Sequence, residues 1–548
     1  MPRKNVLFIM CDQLRWDYLS CAGHPTLQTP NIDALAKRGV QFTNVYCQSP
    51  VCGPSRMSFY TGRYVSSHGA TGNFTPLRIG EKNIGDHLKP LGVKLTLVGK
   101  THMFADTEGM ERLGVDPESA IGVHHAEAGF EVYERDDGVH PDMLVKDDVA
   151  YNQYLRDKGY DDHANPWHWA ANSVDSADAD THVRSGFFND VADQPARVAE
   201  EDSETPYMTR RAMQFLEADD GETPWLLHLS YIKPHWPYIA PAPYNDMYKP
   251  GDVVPALRAD GELENPNPLY KLFMDRVSGQ TFAKDDARET VIPTYMGLIK
   301  QIDDQVGELL KFMEARGLLE QTMIVFTADH GDYLGDHWMG DKDFFHDPAV
   351  KVPLIIADPD PACDATRGTQ QHALVEAIDL LPTFVEYWGG EVAEHILDGR
   401  SLMPLMRAAT VIDEHNWREF VVSEYDYSMQ VFSPKTGRKP LDCRSYMIAN
   451  TSWKYIFAPG YPPMLFDLKN DPDEYVDLGQ SADHEDARKT MHYALADWAL
   501  QYRQRETVSE ERAAHMTGIE DKMGVLIGYW NEDDVKPPAR APSMSETT

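Results

Sequence analysis

The chain is 548 residues long, 42% hydrophobic and 25% charged, and its 87 acidic against 51 basic residues give a formal net charge of −36. The composition is globular and the length suits one large domain plus a smaller one. Such a charge repels nucleic acid and anionic membranes at long range, so an anionic substrate has to be met by a local cluster of Lys, Arg and His.

The opening stretch "MPRKNVLFIM" carries basic residues and then a six-residue apolar run, Val6–Cys11, ahead of Asp12. That run is too short for a signal segment or a membrane span. It predicts a buried first strand over Val6–Met10 and, with no leader, a cytoplasmic location. Thr29–Arg38 reads as a helix opened by Thr and Pro and ended by Gly39. Apolar runs at Leu95–Val98, Pro224–Tyr231, Thr322–Thr327 and Val352–Ile356 predict strands, and Thr294–Arg316 and Ala377–Trp388 predict helices. This alternation predicts an α/β fold with a large, mostly parallel central sheet flanked by helices, and a ligand site beyond the carboxyl ends of its strands.

We expect this main domain to span residues 1–400, with an irregular, lid-like stretch at about 106–203. A smaller α+β domain is expected over 401–505, where "EFVVSEY", "SYMIANTSWKYIFA" and "MLFDL" read as antiparallel strands ahead of a helix, Asp486–Arg503. Residues 506–548 form an arm whose apolar cluster "MGVLIGYW", Met523–Trp530, is expected to pack on its own body or a partner subunit, and end in a disordered tail, "KPPARAPSMSETT". The six cysteines (11, 21, 47, 52, 363 and 443) show no paired spacing, as expected of reduced thiols.

Strand ends carry the candidate chemistry. Asp12 and Gln13 end the first strand, and Asp329 and His330 follow "TMIVFT". Either pair alone reads as a cap or a satisfied loop residue; together they suit a divalent cation, with His330 admitting manganese or zinc beside calcium or magnesium. Lys100 and His102 follow "LVG", His235 follows "YIKP" between two prolines, Lys342 lies in "GDKDFFHD", and Arg56 is four residues beyond Cys52. In a chain of this charge, five such residues fit an oxyanion pocket better than scattered surface cations. Cys52 itself could be a buried structural thiol or a thiolate activated by a helix N-terminus.

Cys52-Gly53-Pro54-Ser55-Arg56, continuing to Thr61-Gly62-Arg63, resembles the Cys-x-Pro-Ser-Arg…Thr-Gly-Arg signature of type I sulfatases, in the alkaline phosphatase superfamily. "TPNIDALAKRGVQFTNVY", "LGVKLTLVGKTH", "TADHGDYLGDH", "KDFFHD" and "LFDLKNDPDEYVDL" have counterparts in the same order, so the resemblance spans roughly residues 5–480. "LHLSYIKPHWPYIAPAPYNDMYKP" and "DHGDYLGDH" resemble the phosphonate monoester hydrolase branch most. The resemblance implies that Cys52 is oxidised to formylglycine by a formylglycine-generating enzyme. The hydrated aldehyde attacks with one hydroxyl, and collapse of the other expels the bound group, so no second attack at the hindered centre is needed.

It further implies that Asp12, Gln13, Asp329, His330 and the modified Cys52 bind one divalent metal ion, manganese or calcium first, zinc or magnesium next. Arg56 would hold the nucleophile and Asp329 take its proton. Lys100, His235 and Lys342 would bind the transferred oxygens, His235 or Lys342 would protonate the leaving oxygen, and His102 would drive the elimination. Two positions depart from the pattern. Gln13 and His330 stand where common sulfatases carry Asp and Asn, as in the phosphonate branch, whereas Lys100 and His102 follow sulfatases. We therefore expect an arylsulfatase-type hydrolase of sulfate monoesters, promiscuous toward phosphonate monoesters and phosphate diesters. The alternatives are a primary phosphonate hydrolase, a thiol enzyme using unmodified Cys52, or a catalytically dead anion-binding scaffold. The expected partners are a small sulfate or phosphonate ester, the maturing enzyme, and further copies in a homodimer or homotetramer, with no nucleic acid and no membrane.

Overall fold

The computed structural model describes residues 4–138, 149–160, 165–174, 183–407, 417–501, 506–525, 527–528 and 530–534. In chain order its strands are β1 (Asn5–Asp12), β2 (Val40–Tyr46), β3 (Lys94–Gly99), β4 (Glu131–Arg135), β5 (Asn172–Val174), β6 (Val183–Ser185), β7 (Trp225–Pro234), β8 (Thr322–Ala328), β9 (Leu354–Ala357), β10 (Thr369–Glu376), β11 (Val421–Asp426), β12 (Arg444–Ala449), β13 (Trp453–Phe457) and β14 (Met464–Asp467). The helices used below are α1 (Pro30–Arg38), α2 (Cys52–Thr61), α3 (Asp285–Ala315), α4 (Leu380–Tyr387) and α5 (Glu485–Leu500).

Every residue of β1, β7 and β8 is buried. Strands covered on both faces read as unbroken apolar runs, which is why these three were legible in the sequence. They form the middle of an eight-stranded sheet of order β10-β2-β9-β8-β1-β7-β3-β4. β1 is parallel to both β7 and β8, and of the eight strands β9 alone runs antiparallel to its neighbours. The carboxyl ends of β1, β3, β7 and β8 therefore meet along one edge, where the fold leaves room for a site.

The helix expected to begin at Thr294 begins at Asp285 and runs through Pro293. Val291, Ile292, Tyr295 and Met296, on both sides of the proline, are fully buried in the main core. Burial of this face outweighs the hydrogen bond that proline forfeits, a cost of about 3 kcal/mol. Asp303 on α3 accepts from the backbone N–H groups of Asn31 and Ile32, at 2.9 Å each, and so caps the start of α1 from a neighbouring helix. The expected helix Ala377–Trp388 is a 3-10 turn, Ala377–Asp379, followed by α4.

Within 106–203 the described residues hold short helices, the hairpin β5–β6 and β4, which extends the main sheet beside β3. β11–β14 form a separate antiparallel sheet in sequential order. Val422, Ile448, Tyr455 and Leu465 from that sheet pack with Met491 and Leu495 of α5 in a second small core. The chain divides into two compact units, one comprising residues up to Val392 and from Leu397 to Gln501, the other Ala393–Ile396 with the residues after 501. Arg503, Leu526, Tyr529 and the tail "KPPARAPSMSETT" lie outside the described residues. Among the described residues, no helix is long and apolar enough to cross a membrane.

Candidate active site

Four strand ends and one helix start converge. The ladder between β1 and β7 slips between Cys11 and Asp12, and this irregularity at the strand end re-aims Asp12. Gln13 follows in a left-handed conformation (φ 64°). Its N–H donates to Asp329 Oδ1 at 3.0 Å, and its carbonyl accepts from the Tyr295 hydroxyl at 2.7 Å. Asp329 and His330 leave the end of β8, with the His330 N–H also on Asp329 Oδ1 at 3.0 Å. At the end of β3, Gly99 (φ 110°) lies so close to β7 that an added Cβ would sit 2.0 Å from the Ser230 carbonyl oxygen; only glycine fits there, and the next residue is Lys100.

α2 starts on Cys52 and all ten of its residues are buried. Its side chains, unlike those of a surface helix, point into polar chemistry on one side and core on the other. The Gly53 N–H donates to Asn73 Oδ1 at 2.9 Å, and the Ser55 hydroxyl donates to the Asp329 carbonyl at 2.6 Å. Arg56, fully buried, spends its guanidinium on four acceptors: Asp329 Oδ2 and Ser230 Oγ and the Lys100 carbonyl at 2.8 Å each, and Asp12 Oδ2 at 3.3 Å. It thus ties the ends of β1, β3, β7 and β8 to α2, with a fork that lysine does not offer.

Donor atoms of Asp12, Cys52, Asp329 and His330, all buried, lie within 4.8 Å of one another. His330 Nδ1 donates to the Gly331 carbonyl at 2.9 Å, which fixes the tautomer and leaves Nε2 facing Cys52 Sγ at 3.0 Å. Two carboxylates and one imidazole lone pair aimed at a common point are a donor set for a divalent cation. The same crowding shows as charge. Burial opposes protonation of His330 most strongly, yet Asp329 and Cys52 together outweigh it and raise His330 to about 9. Burial and Cys52 push Asp12 up, and Lys100, His235 and Arg56 together hold it below the usual carboxylate range.

The predicted cations gather around the same point. Lys100 Nζ, buried, lies 2.5 Å from Asp12 Oδ2. Lys342 Nζ donates to Cys52 Sγ at 3.1 Å, to Gln13 Oε1 at 3.0 Å and to His235 Nε2 at 3.0 Å. His235 Nδ1 donates to the Trp236 carbonyl at 2.7 Å, so Nε2 is free to accept; burial and then Lys342 lower its pKa and keep the ring neutral. Burial raises the Cys52 thiol, but Lys342, Lys100 and His330, with a hydrogen bond from His102, hold it well below the usual thiol range. His102 itself sits at φ 56°, with its N–H and that of Thr101 donating to Asp137 Oδ1 at 2.9 and 3.0 Å. All ten residues singled out in the sequence thus lie in one cluster. Sequence reasoning missed Asn73, Asp137 and Ser230, and also Tyr238 and Asp332, which meet the Gln13 amide nitrogen from 225 and 319 residues away.

An aromatic slot of about 160 Å³ adjoins this cluster, lined by Phe187, Trp236, Tyr238, Phe282, Asn189 and Asp341 among others. Trp236 links the two: its ring centroid is 4.2 Å from that of His235 and 6.0 Å from Lys342 Nζ.

A mostly parallel sheet with buried carboxylates, an imidazole and cations converging on Cys52 at its strand ends suits a hydrolase of tetrahedral oxyanion esters. Comparison with known proteins narrows the class. The sulfatase family model matches residues 4–390, and the model for the C-terminal part of N-sulphoglucosamine sulphohydrolase matches residues 335–503. The chain belongs to the sulfatase family. It is 32% identical over 505 residues to the multifunctional alkaline phosphatase superfamily protein PehA of Trinickia caryophylli, covering 87% of this chain and 91% of that protein. It is 25% identical over 489 residues to an arylsulfatase of Clostridium perfringens, covering 88% of this chain and 92% of that one. The phosphonate monoester hydrolase of Agrobacterium radiobacter superposes with a TM-score of 0.78 at 27% identity, over 91% of this chain and 96% of that one. The family implies a metal ion and a formylglycine, and the donor set around Cys52 fits the first.

Proposed function

We propose that the chain hydrolyses sulfate monoesters, aryl sulfates foremost, through a formylglycine at position 52 and one divalent cation, with side activity on phosphonate monoesters and phosphate diesters. The observation that carries this reading is the pair Lys100 and His102 beside Cys52, which adds two donors to that of Lys342. A sulfate monoester offers three non-bridging oxygens to such donors, whereas a phosphonate or diester replaces one with a bulky group. The aromatic slot beside Trp236 supports an aryl leaving group.

In this reading Cys52 Sγ stands in for the attacking oxygen of the hydrated formylglycine. Asp12, Gln13, Asp329 and His330 would hold one divalent cation, manganese or calcium first, which would supply positive charge to the reacting oxyanion. Arg56 keeps Asp12 and Asp329 in position. Asp329 takes the proton of the attacking hydroxyl as its oxygen bonds to sulfur, Lys342 donates a proton to the bridging oxygen as its bond to sulfur breaks, and neutral His235, accepting from Lys342, steadies the donor. His102 removes the proton from the second hydroxyl, so that the sulfate leaves and the aldehyde returns. The same reading has the chain matured by a formylglycine-generating enzyme and working as a homodimer or homotetramer.

A second reading, a primary phosphonate hydrolase, is favoured by Gln13 and His330 and by the names of the multifunctional relative and the superposed hydrolase. The two separate in one experiment: kcat/KM for an aryl sulfate and a phenylphosphonate ester with the same leaving group, on wild type and on the double variant Lys100→Tyr with His102→Thr. Wild type should prefer the sulfate. The double variant should shift the ratio toward the phosphonate by about ten- to a hundredfold for each donor no longer stranded. A wild-type preference for the phosphonate, or an unmoved ratio, would install the second reading.

A further inference from the structure

Gln13 raises a question that the donor set alone does not answer: which way its amide faces. The backbone is pinned on both sides, by Asp329 and Tyr295, so only the side-chain orientation is open. Its nitrogen lies 2.6 Å from Asp332 Oδ2 and 3.1 Å from Asp341 Oδ1, one carboxylate for each amide hydrogen. Its oxygen faces Lys342 Nζ, which also touches Cys52 Sγ. A carboxylate accepts and an ammonium donates, so the amide has one orientation, oxygen toward the nucleophile.

Asp332 is itself fixed. It is fully buried; Oδ2 also takes the Tyr238 hydroxyl at 2.5 Å, and Oδ1 takes the Leu334 N–H at 3.0 Å. Its own carbonyl accepts from Arg15 Nη1 at 3.3 Å. Three donors on one buried carboxylate make it a rigid acceptor, and none of the steps above uses it.

We propose that Asp332 is a positioning residue that aims the Gln13 oxygen at the metal site and, with Asp341, restricts position 13 to a neutral amide. The inference rests on the reading of Asp12, Gln13, Asp329 and His330 as ligands of one cation. A carboxylate at position 13 would face two carboxylates, with the Tyr238 hydroxyl already committed to Asp332. This accounts for the amide at position 13, where the common sulfatase pattern has a second acid. The cation is then met by two carboxylates and two neutral donors, a lower ligand charge than a three-carboxylate set.

The test is Mn2+ binding to the purified full chain by titration calorimetry, with melting curves of each variant as a folding control. Asp332→Leu should weaken Mn2+ binding by about tenfold or more. Gln13→Glu should weaken it by about as much, because the new carboxylate is repelled from its seat. Gln13→Glu combined with Asp332→Asn should recover most of that loss, since the amide introduced at 332 donates to the carboxylate introduced at 13. A misfolded variant cannot be rescued in this way. Wild-type Mn2+ affinity in Asp332→Leu, or no recovery in the combined variant, overturns the proposal. Asp329→Ala separates the two levels: if it binds Mn2+ as wild type does, the ligand assignment is wrong and the role of Asp332 falls with it.

Discussion

Two buried carboxylates of this chain behave oppositely, and the difference lies in their neighbours. Asp12 is crowded by Lys100, His235 and Arg56 and stays ionised against burial. Glu424 on β11 has Oε1 on the Ser66 N–H and hydroxyl at 2.9 Å, and burial outweighs these bonds and pushes it up to about 7. Between its ordinary value of 4.5 and that value the folded state holds a proton that the unfolded state has released. Stability therefore falls as pH rises through this window and stays low above it. Glu424→Gln removes the ionisation cost, so it should stabilise the protein by about 1–3 kcal/mol at pH 8 and have little effect at pH 5. Calorimetric melting at the two pH values checks this, and an equal shift at both would contradict it. Asp12, Gln13, Asp329, His330, Lys100, His102 and His235 were legible in the sequence because each follows a recognisable apolar strand. Asp332 was not, although it stands in "DHGDYLGDH": its partner Gln13 is 319 residues away, and nothing local marks the pairing.

At the scale of elements, the sequence revealed strands that are apolar throughout and hid those that are not. β2 alternates between buried and half-buried positions and β10 begins exposed, so neither stood out as a core strand. The reversal of β9 depends on which strands it joins, β8 and β2, and no feature of "LIIA" encodes that. Pro293 misled because its penalty is local while the burial that offsets it is tertiary. In the arm after Glu506, the apolar residues Met523, Val525 and Ile527 are 73%, 44% and 78% accessible. Apolar side chains so placed gain by burial at about 25 cal/mol for each Å² covered, which is the physical ground for the homo-oligomer proposed above. Light scattering on the full chain and on a variant ending at Glu506 tests it. The full chain should have the mass of a dimer or tetramer and the truncated chain a lower mass; identical masses would count against an arm-mediated assembly.

For the whole molecule, the decisive relation is between a surface of net charge −36 and a small interior knot of cations. Arg56, Lys100 and Lys342 are held in that interior by Asp12, Asp329 and the group at position 52, so the site's positive charge is set by local pairing and not by the protein's overall field. The fold brings the strand ends at residues 12, 99, 234 and 328 onto the first turn of the helix that residue 52 opens. A thiolate there would be stabilised by the same cations, so the covalent state of residue 52 is what separates the two nucleophiles. Preparations with graded conversion of Cys52, made by varying the supply of formylglycine-generating enzyme, should be assayed on an aryl sulfate at saturating Mn2+, with the aldehyde fraction read from the mass of the residue 52 peptide. The rate per chain should rise in proportion to the aldehyde fraction and extrapolate to zero without it; full activity in a preparation carrying only the free thiol would contradict a formylglycine nucleophile.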